Sequence, residues 1–145
     1  MSSPAEGQKK ESQEVAAQKN IEKVRQAIDA FNRRDTEAML EIGGDDFEYD
    51  WSRSLGPNRG VYHGVEGFMK FVRDQWSTFD EVRLEAHEFI PRGRHVVTTS
   101  TTHGRGRQGI PVSANSAMLY TFEDGRLVRI TLFQERGEAL AAAAG

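Results

Sequence analysis

The stretch IPVSANSAMLYTFEDGRLVRITLF, residues 110–133, decides the fold. Its even-numbered positions up to Phe122 are more apolar than its odd-numbered positions, and this period of two is typical of a half-buried strand. Asp124-Gly125 is a signal for a two-residue hairpin turn. In the following run, Val128, Ile130 and Leu132 share one face. The stretch therefore predicts two antiparallel neighbours that bury the same face of a sheet.

Two more strands are predicted upstream of this hairpin. Residues 82–87 alternate between apolar and polar side chains, and the segment 94–103 is rich in valine and threonine, which favour strands. A turn at 91–93 separates these two runs, and the glycine-rich segment 104–109 separates the second from the hairpin. The second half of the chain is therefore predicted to be a four-stranded meander.

Helices dominate the first half. Ile21, Val24, Ile28 and Phe31 are spaced by three and four residues, which predicts one face of an amphipathic helix. Asp35 is suited to cap a second, short helix that ends at residues 43–44.

A short strand, residues 47–51 (FEYDW), and a third helix from Gly64 to Thr78 follow. Three helices followed by a meander, with one early strand between the helices, indicate an α+β fold. We expect a curved antiparallel or mixed sheet, shaped like a cone, to wrap around the three helices and enclose a pocket.

Composition limits the possible functions. The chain has 145 residues and no cysteine, so it fits one domain and excludes disulfides, thiolate zinc sites and cysteine nucleophiles. A net charge of −3 argues against nucleic-acid binding, which needs a basic surface. The four histidines show no metal-ligand spacing, and no glycine-rich phosphate motif lies between a strand and a helix. We expect no metal and no cofactor.

The predicted domain covers residues 15–137, with a flexible tail over 1–14 and an alanine-rich tail over 138–145. No stretch has the apolar length of a signal peptide core or a membrane span. The expected location is the cytoplasm, without a membrane partner.

Three stretches carry a family resemblance. They are AIDAFNRRDTEAMLE (27–41), YDWSRSLGPNRGVYHGVEGFMKF (49–71) and YTFEDGRLVRITLFQERGEAL (120–140). With their order along the chain, they resemble the SnoaL-like polyketide cyclase group of the nuclear transport factor 2-like superfamily. This resemblance implies the cone-shaped fold, an internal pocket and pairing of two sheets in a homodimer. It does not imply one activity, because the superfamily contains isomerases, cyclases, dehydratases, epoxide hydrolases and non-enzymatic binders.

The resemblance also marks a candidate general base. Asp50 falls where ketosteroid isomerases of the superfamily have their catalytic aspartate, but Ala27 and Met118 fall at the positions of their two oxyanion donors. Loss of both donors removes a major source of transition-state stabilisation and argues against steroid isomerisation. The late strands contain no inward carboxylate, which also argues against a direct transfer of cyclase activity.

Candidate site residues follow from the residues and the resemblance together. Asp50, His103 and Tyr120 are the candidates for acid–base chemistry or polarisation of a bound group. The candidates for ligand contact are Tyr49, Trp51, Phe31, His63, Phe68, Met118, Leu132 and Gln134.

The orientation of Asp50 is left open by the sequence. Strict alternation places Glu48 and Asp50 on one face and the three aromatic residues of 47–51 on the other. Either the aromatic face enters the core and Asp50 points elsewhere, or a bulge redirects one side chain.

Two functions remain open at this point. One is a pocket for a small hydrophobic molecule, with or without a carbonyl group, coupled to cofactor-free cyclase, isomerase or dehydratase chemistry through Asp50. The other is a non-catalytic ligand-binding or dimeric assembly module. For a homodimer, the predicted surface is the strand face that carries Arg129, Thr131 and Phe133.

Overall fold

The computed structural model describes residues 4–55, 58–106 and 108–144 and contains four helices and six strands in these ranges. The helices are α1 (Pro4–Arg33), α2 (Thr36–Ile42), α3 (Gly64–Thr78) and α4 (Arg136–Ala143). The strands are β1 (Gly43–Asp50), β2 (Val61–His63), β3 (Glu81–Arg92), β4 (His95–Arg105), β5 (Pro111–Glu123) and β6 (Arg126–Phe133).

One mixed sheet contains all six described strands, in the order β2-β1-β6-β5-β4-β3. The predicted meander forms four of these strands, β3 to β6. Every neighbouring pair in the sheet is antiparallel except β1 and β6, which are parallel. The parallel pair aligns Tyr49 with Ile130 and Asp50 with Thr131. The α+β prediction is thereby confirmed.

Local sequence signals set several boundaries. Asp35 caps α2, because its Oδ1 accepts a hydrogen bond from the Ala38 amide at 3.1 Å. The α3 helix has the predicted bounds. Asp124 and Gly125 both adopt positive φ, at 51° and 76°, as a two-residue turn between antiparallel strands requires.

A register shift in the β5–β6 hairpin changes one predicted face. Thr121 pairs with Arg129, whereas Phe122 pairs with Leu127, so β6 contains one extra residue at this point. Leu127 is consequently buried at 2% exposure, and Val128 is only partly buried. The prediction that Val128 shares the core face with Ile130 was wrong for this reason.

The two faces of the sheet carry different helices. We call the face that packs against α1, α2 and α3 the inner face, and the face that carries α4 the outer face. Val97, Ala117, Leu119 and Phe133 form the apolar patch beneath α4.

The alanine-rich C-terminal segment is a packed helix. Ala139 has no exposed surface and Ala143 is 7% exposed, because α4 lies directly on the outer face. The alanine-rich tail predicted over 138–145 is therefore part of the packed domain up to Ala144, and Gly145 lies outside the described residues. Small alanine side chains allow the helix to approach the sheet closely, and this contact supplies the apolar burial that a short helix needs.

The N-terminal prediction also differs from the structure. The α1 helix already begins at Pro4, within the segment 1–14 that was predicted to be a tail. Glutamine, lysine, glutamate and alanine dominate this part of the helix, and such residues propagate a helix from a packed turn at little cost. Residues 1–3 lie outside the described part of the chain. No described helix has the length and apolar character needed to cross a membrane.

Candidate functional site

A cavity of about 70 Å³ lies between the inner face and the helices. Helix α1 contributes Ala27, Ile28 and Phe31, and α2 contributes Met39 and Leu40. The remaining wall comes from Ile42 at the end of α2, from β1, from α3 and from strands β3 to β6. Of the predicted site residues, those that line this cavity are Phe31, Tyr49, Trp51, Phe68, Met118 and Tyr120.

Aromatic side chains of β1 and α3 form one continuous wall of the cavity. The ring of Tyr49 stacks on Phe71, with ring centres 4.5 Å apart, and on Phe68 at 5.8 Å. Trp51 contacts both Tyr49 and Phe71, at 5.2 and 5.1 Å. Because alternation directs residues 47, 49 and 51 to the same face, β1 and the residue that follows it present three aromatic rings to α3.

The polar groups of the cavity are uncharged. Tyr120 donates a hydrogen bond to Met118 Sδ at 3.6 Å, and burial raises the pKa of its hydroxyl. Burial and the neighbouring Tyr120 raise the pKa of Tyr49 well above its ordinary value. Among the described residues that line the cavity, none is Asp, Glu, Lys, Arg or His. The site therefore offers hydrogen-bonding groups but no titratable base near neutral pH.

Gln75 is a cavity residue that was not predicted from the sequence. It is 7% exposed, and its Oε1 accepts a hydrogen bond from Asn58 Nδ2 at 3.0 Å. Asn58 is in turn held by Tyr62, whose hydroxyl donates to the Asn58 carbonyl oxygen at 2.8 Å. Helical spacing could have found Gln75, since it lies four residues after Phe71 and seven after Phe68 on the apolar stripe of α3.

Asp50 lies outside the cavity, on the outer face. Alternation directs the aromatic residues of β1 into the core, so the first of the two predicted orientations is the observed one. The Asp50 carboxylate accepts hydrogen bonds from the Ser52 amide at 3.0 Å and the Ser52 hydroxyl at 2.6 Å, and it pairs with Arg53 at 3.4 Å. Partial burial alone would raise the pKa of Asp50, but these three contacts together hold it below its ordinary value. The surroundings of Asp50 therefore do not raise its pKa toward that of a general base.

These contacts predict a pH-dependent stabilisation by Asp50. A depressed carboxyl pKa stabilises the fold above the unfolded-state pKa of about 4, and the contribution is lost as pH falls through the folded-state value. We expect Asp50→Asn to lower the free energy of unfolding by about 1 kcal/mol at pH 7, since it weakens hydrogen bonds to a charged acceptor. Urea unfolding at pH 7 and pH 3 measures this, and the difference from wild type should shrink at the lower pH.

Glu123→Gln is the matched control for this experiment. Its ion pair with Arg94 is 3.4 Å long and exposed on both sides, so the change should cost less than about 0.5 kcal/mol at either pH. An equal loss of stability in Asp50→Asn at pH 3 and pH 7 would contradict the assigned role of the carboxylate.

The other predicted site residues are dispersed. His103 Nδ1 lies 3.5 Å from Ser113 Oγ, and its Nε2 lies 3.5 Å from Glu85, beside a separate polar groove. His63 is exposed at the start of α3 and makes no side-chain cap.

Two further ligand-contact candidates also lie away from the cavity wall. Gln134 donates to the Arg53 carbonyl oxygen at 2.6 Å. Leu132 is buried in the inner core but does not line the cavity. In the described ranges, no group of three His, Cys, Asp or Glu side chains could hold a metal ion.

The strand face predicted to form a dimer is largely covered by the chain itself. Phe133 is 8% exposed, since it packs under α4 and against the Arg53 guanidinium, whose Cζ lies 4.8 Å from the ring centre. Thr131 is 6% exposed, and Arg129 pairs with Glu48 at 2.9 Å. Neither Thr131 nor Phe133 presents a free side chain on this surface.

Comparison with known proteins identifies the family. The profile of the SnoaL-like domain matches residues 24–130, which include the cavity-lining parts of all three inner helices and most of the sheet. The chain belongs to the SnoaL-like domain family. The resemblance stated from the sequence is thereby confirmed, and none of the curated proteins matches the chain.

Several solved structures have the same fold as this SnoaL-like domain. TerC co-crystallised with polyporic acid is 22% identical, with a TM-score of 0.74, over 88% of this chain and 99% of TerC. An NTF2-like protein from Burkholderia pseudomallei is 25% identical, with a TM-score of 0.72, over 88% and 98% of the two chains. Bal32a, from a soil-derived mobile gene cassette, is 16% identical, with a TM-score of 0.74, over 90% and 99%.

Proposed function

We propose that this SnoaL-like protein binds a small, uncharged, mainly apolar molecule in the cavity between the sheet and the helices. The aromatic wall of Tyr49, Trp51, Phe68 and Phe71 is the observation that carries the proposal. A concave site lined by aromatic side chains and a few polar groups is typical of small-molecule binding, and a volume of about 70 Å³, below the usual range of ligand pockets, restricts the occupant to a small molecule. A charged ligand is disfavoured, because the wall offers no charged side chain to pair with it.

The proposal assigns Asp50 a structural role rather than a chemical one. Its carboxylate is engaged by Ser52 and Arg53 on the outer face, whereas a ligand in the cavity would lie against the inner face. A general base must come within hydrogen-bond reach of the proton it removes, directly or through one water. Binding, without a step through Asp50, is therefore the function that the geometry supports best.

The assembly alternative has less support than ligand binding. The burial of Thr131 and Phe133 leaves Arg129 as the exposed member of the predicted dimer face. The homodimer stays a prediction, which light scattering measures.

Filling the cavity should abolish binding. Ala27 lines the cavity from α1, so Ala27→Phe places a ring in the space that a ligand would occupy. For wild type, we expect saturable binding of acetophenone with a Kd of about 1 mM or below, within the range that small ligands reach. Ala27→Phe should weaken this binding at least about 10-fold, which corresponds to about 1.4 kcal/mol. Protein-observed NMR titration provides the measurement.

Ala16→Phe supplies the control on the same helix, since Ala16 is exposed. This variant should bind acetophenone as wild type does. Circular dichroism establishes that both variants keep the fold before they are titrated. No saturable binding in wild type, or unchanged binding in folded Ala27→Phe, would refute the proposed function. Analysis of the recovered probe distinguishes binding from chemical conversion.

A further inference from the structure

We infer that the Tyr49 hydroxyl and the Gln75 side-chain amide select a ligand that carries an uncharged acceptor oxygen, such as a ketone. This inference rests on the proposed function, since it concerns the molecule bound in the same cavity. It follows from the hydrogen-bonding state of two buried side chains, one on β1 and one on α3.

The Tyr49 hydroxyl is the first donor. Tyr49 is 8% exposed and lines the cavity, yet its hydroxyl has no hydrogen-bond partner among the described residues. Among the described residues, the enclosed side-chain polar atoms that lack a hydrogen-bond partner are Trp76 Nε1, Thr98 Oγ1 and His103 Nε2, and the Tyr49 hydroxyl is not one of them, so this unpartnered hydroxyl keeps some accessible surface. Since the residue is almost fully buried, the open side of the hydroxyl is the cavity.

The surrounding rings fix the position of this hydroxyl. Phe68 and Phe71 stack on the Tyr49 ring, and Trp51 contacts it from the neighbouring position of the same face. A ring held on several sides cannot turn its hydroxyl away from the cavity without losing these contacts. The donor is therefore already ordered before a ligand binds, which reduces the entropy lost on binding.

The Gln75 amide is the second donor. Its Oε1 is occupied by Asn58 Nδ2 at 3.0 Å, whereas its Nε2 has no partner in the described part of the chain. The same Asn58 Nδ2 also donates to Thr78 Oγ1 at 3.4 Å. The backbone carbonyl oxygen of Asn58 accepts a hydrogen bond from the Tyr62 hydroxyl. This arrangement fixes which end of the Gln75 amide is engaged, and it leaves the two N–H groups of Nε2 for a ligand.

The chemistry of the two groups defines the acceptor. An amide nitrogen can only donate, and a neutral phenol donates readily, so both groups are complementary to an oxygen lone pair. A ligand without such an oxygen would cover two donors and leave them unpaired, at the cost of their desolvation. A carboxylate would also accept, but none of the described lining residues carries a compensating positive charge. The ligand class is therefore an aromatic or otherwise apolar molecule with a neutral carbonyl-type oxygen.

Acetophenone and ethylbenzene test this inference, because the two molecules have nearly the same shape and differ in the oxygen. For wild type, we expect acetophenone to bind about 10-fold more tightly than ethylbenzene, because one to two hydrogen bonds to its oxygen contribute a free energy of this size. Tyr49→Phe and Gln75→Met each remove one donor with little change in volume. Each should reduce this ratio about 3-fold or more through weaker acetophenone binding, with ethylbenzene binding preserved.

Thr131→Val is the control, since it removes a buried hydroxyl on the outer face, away from the cavity. It should keep the wild-type ratio. If both probes bind wild type equally, or if folded Tyr49→Phe keeps the full ratio, the inference is overturned while cavity binding stands. If neither probe binds, the proposed function itself fails.

Discussion

Phe71→Ala is expected to lower the free energy of unfolding by about 3–5 kcal/mol, the usual cost of removing a buried phenylalanine ring. Phe71 is 2% exposed and contacts Tyr49, Trp51 and Tyr62 at ring-centre distances of 4.5, 5.1 and 5.2 Å. Its loss removes dispersion contacts from three rings at once and leaves a void beside the cavity. Urea unfolding measures the change.

The same variant should also weaken binding of acetophenone, because Phe71 holds the Tyr49 ring in place. Phe122→Ala is the matched control: Phe122 has the same 2% exposure but does not line the cavity. Both variants should be destabilised, and only Phe71→Ala should lose affinity when titrated under conditions where it is folded. A stability loss below about 1 kcal/mol for Phe71→Ala would contradict the packing described, since core ring deletions rarely cost so little.

Ala139→Glu should cost roughly 3 kcal/mol of stability, because an unpaired charge at a fully enclosed position must either be desolvated or displace α4. Ala139 has no exposed surface and packs on the patch of Val97, Ala117, Leu119 and Phe133. Displacement of α4 would expose this patch to solvent. We therefore also expect the variant to associate at high concentration, as exposed apolar patches do.

Ala142→Glu provides the control on the same helix with the same change of residue. Ala142 is exposed, so this variant should differ from wild type by less than about 0.5 kcal/mol in urea unfolding. Size-exclusion chromatography at several concentrations monitors association. Equal stability of the two variants would mean that α4 does not cover the outer face in solution.

Much of the inner core could be predicted from periodicity. The four apolar residues of α1 from Ile21 to Phe31, and the even-numbered residues of β5 from Met118, lie where the spacing places them. The aromatic side of β1 also follows from alternation, once the core is known to lie on that side. These features depend on near neighbours in the sequence, which is why local patterns specify them.

The remaining features depend on contacts between distant parts of the chain. Nothing local to Gly43–Asp50 indicates that β1 pairs with β6, and the extra residue in β6 appears only when its register with β5 is known. The docking of α4 depends on an outer patch assembled from three strands. The spacing of Gln75 places it on the apolar stripe of α3, but the sequence does not show its hydrogen-bond partner Asn58, which lies 17 residues away.

The parallel pairing of β1 with β6 also has a consequence for the order of folding. Strands β3 to β6 connect through consecutive hairpins, whereas Glu48 and Arg129, which meet across β1 and β6, are 81 residues apart. Loop closure over such a separation is slow compared with hairpin formation. During synthesis, β1 leaves the ribosome long before its partner exists. We expect β1, with only its neighbour β2 as a partner, to join a preformed meander last, so that the cavity between sheet and helices closes in the final step.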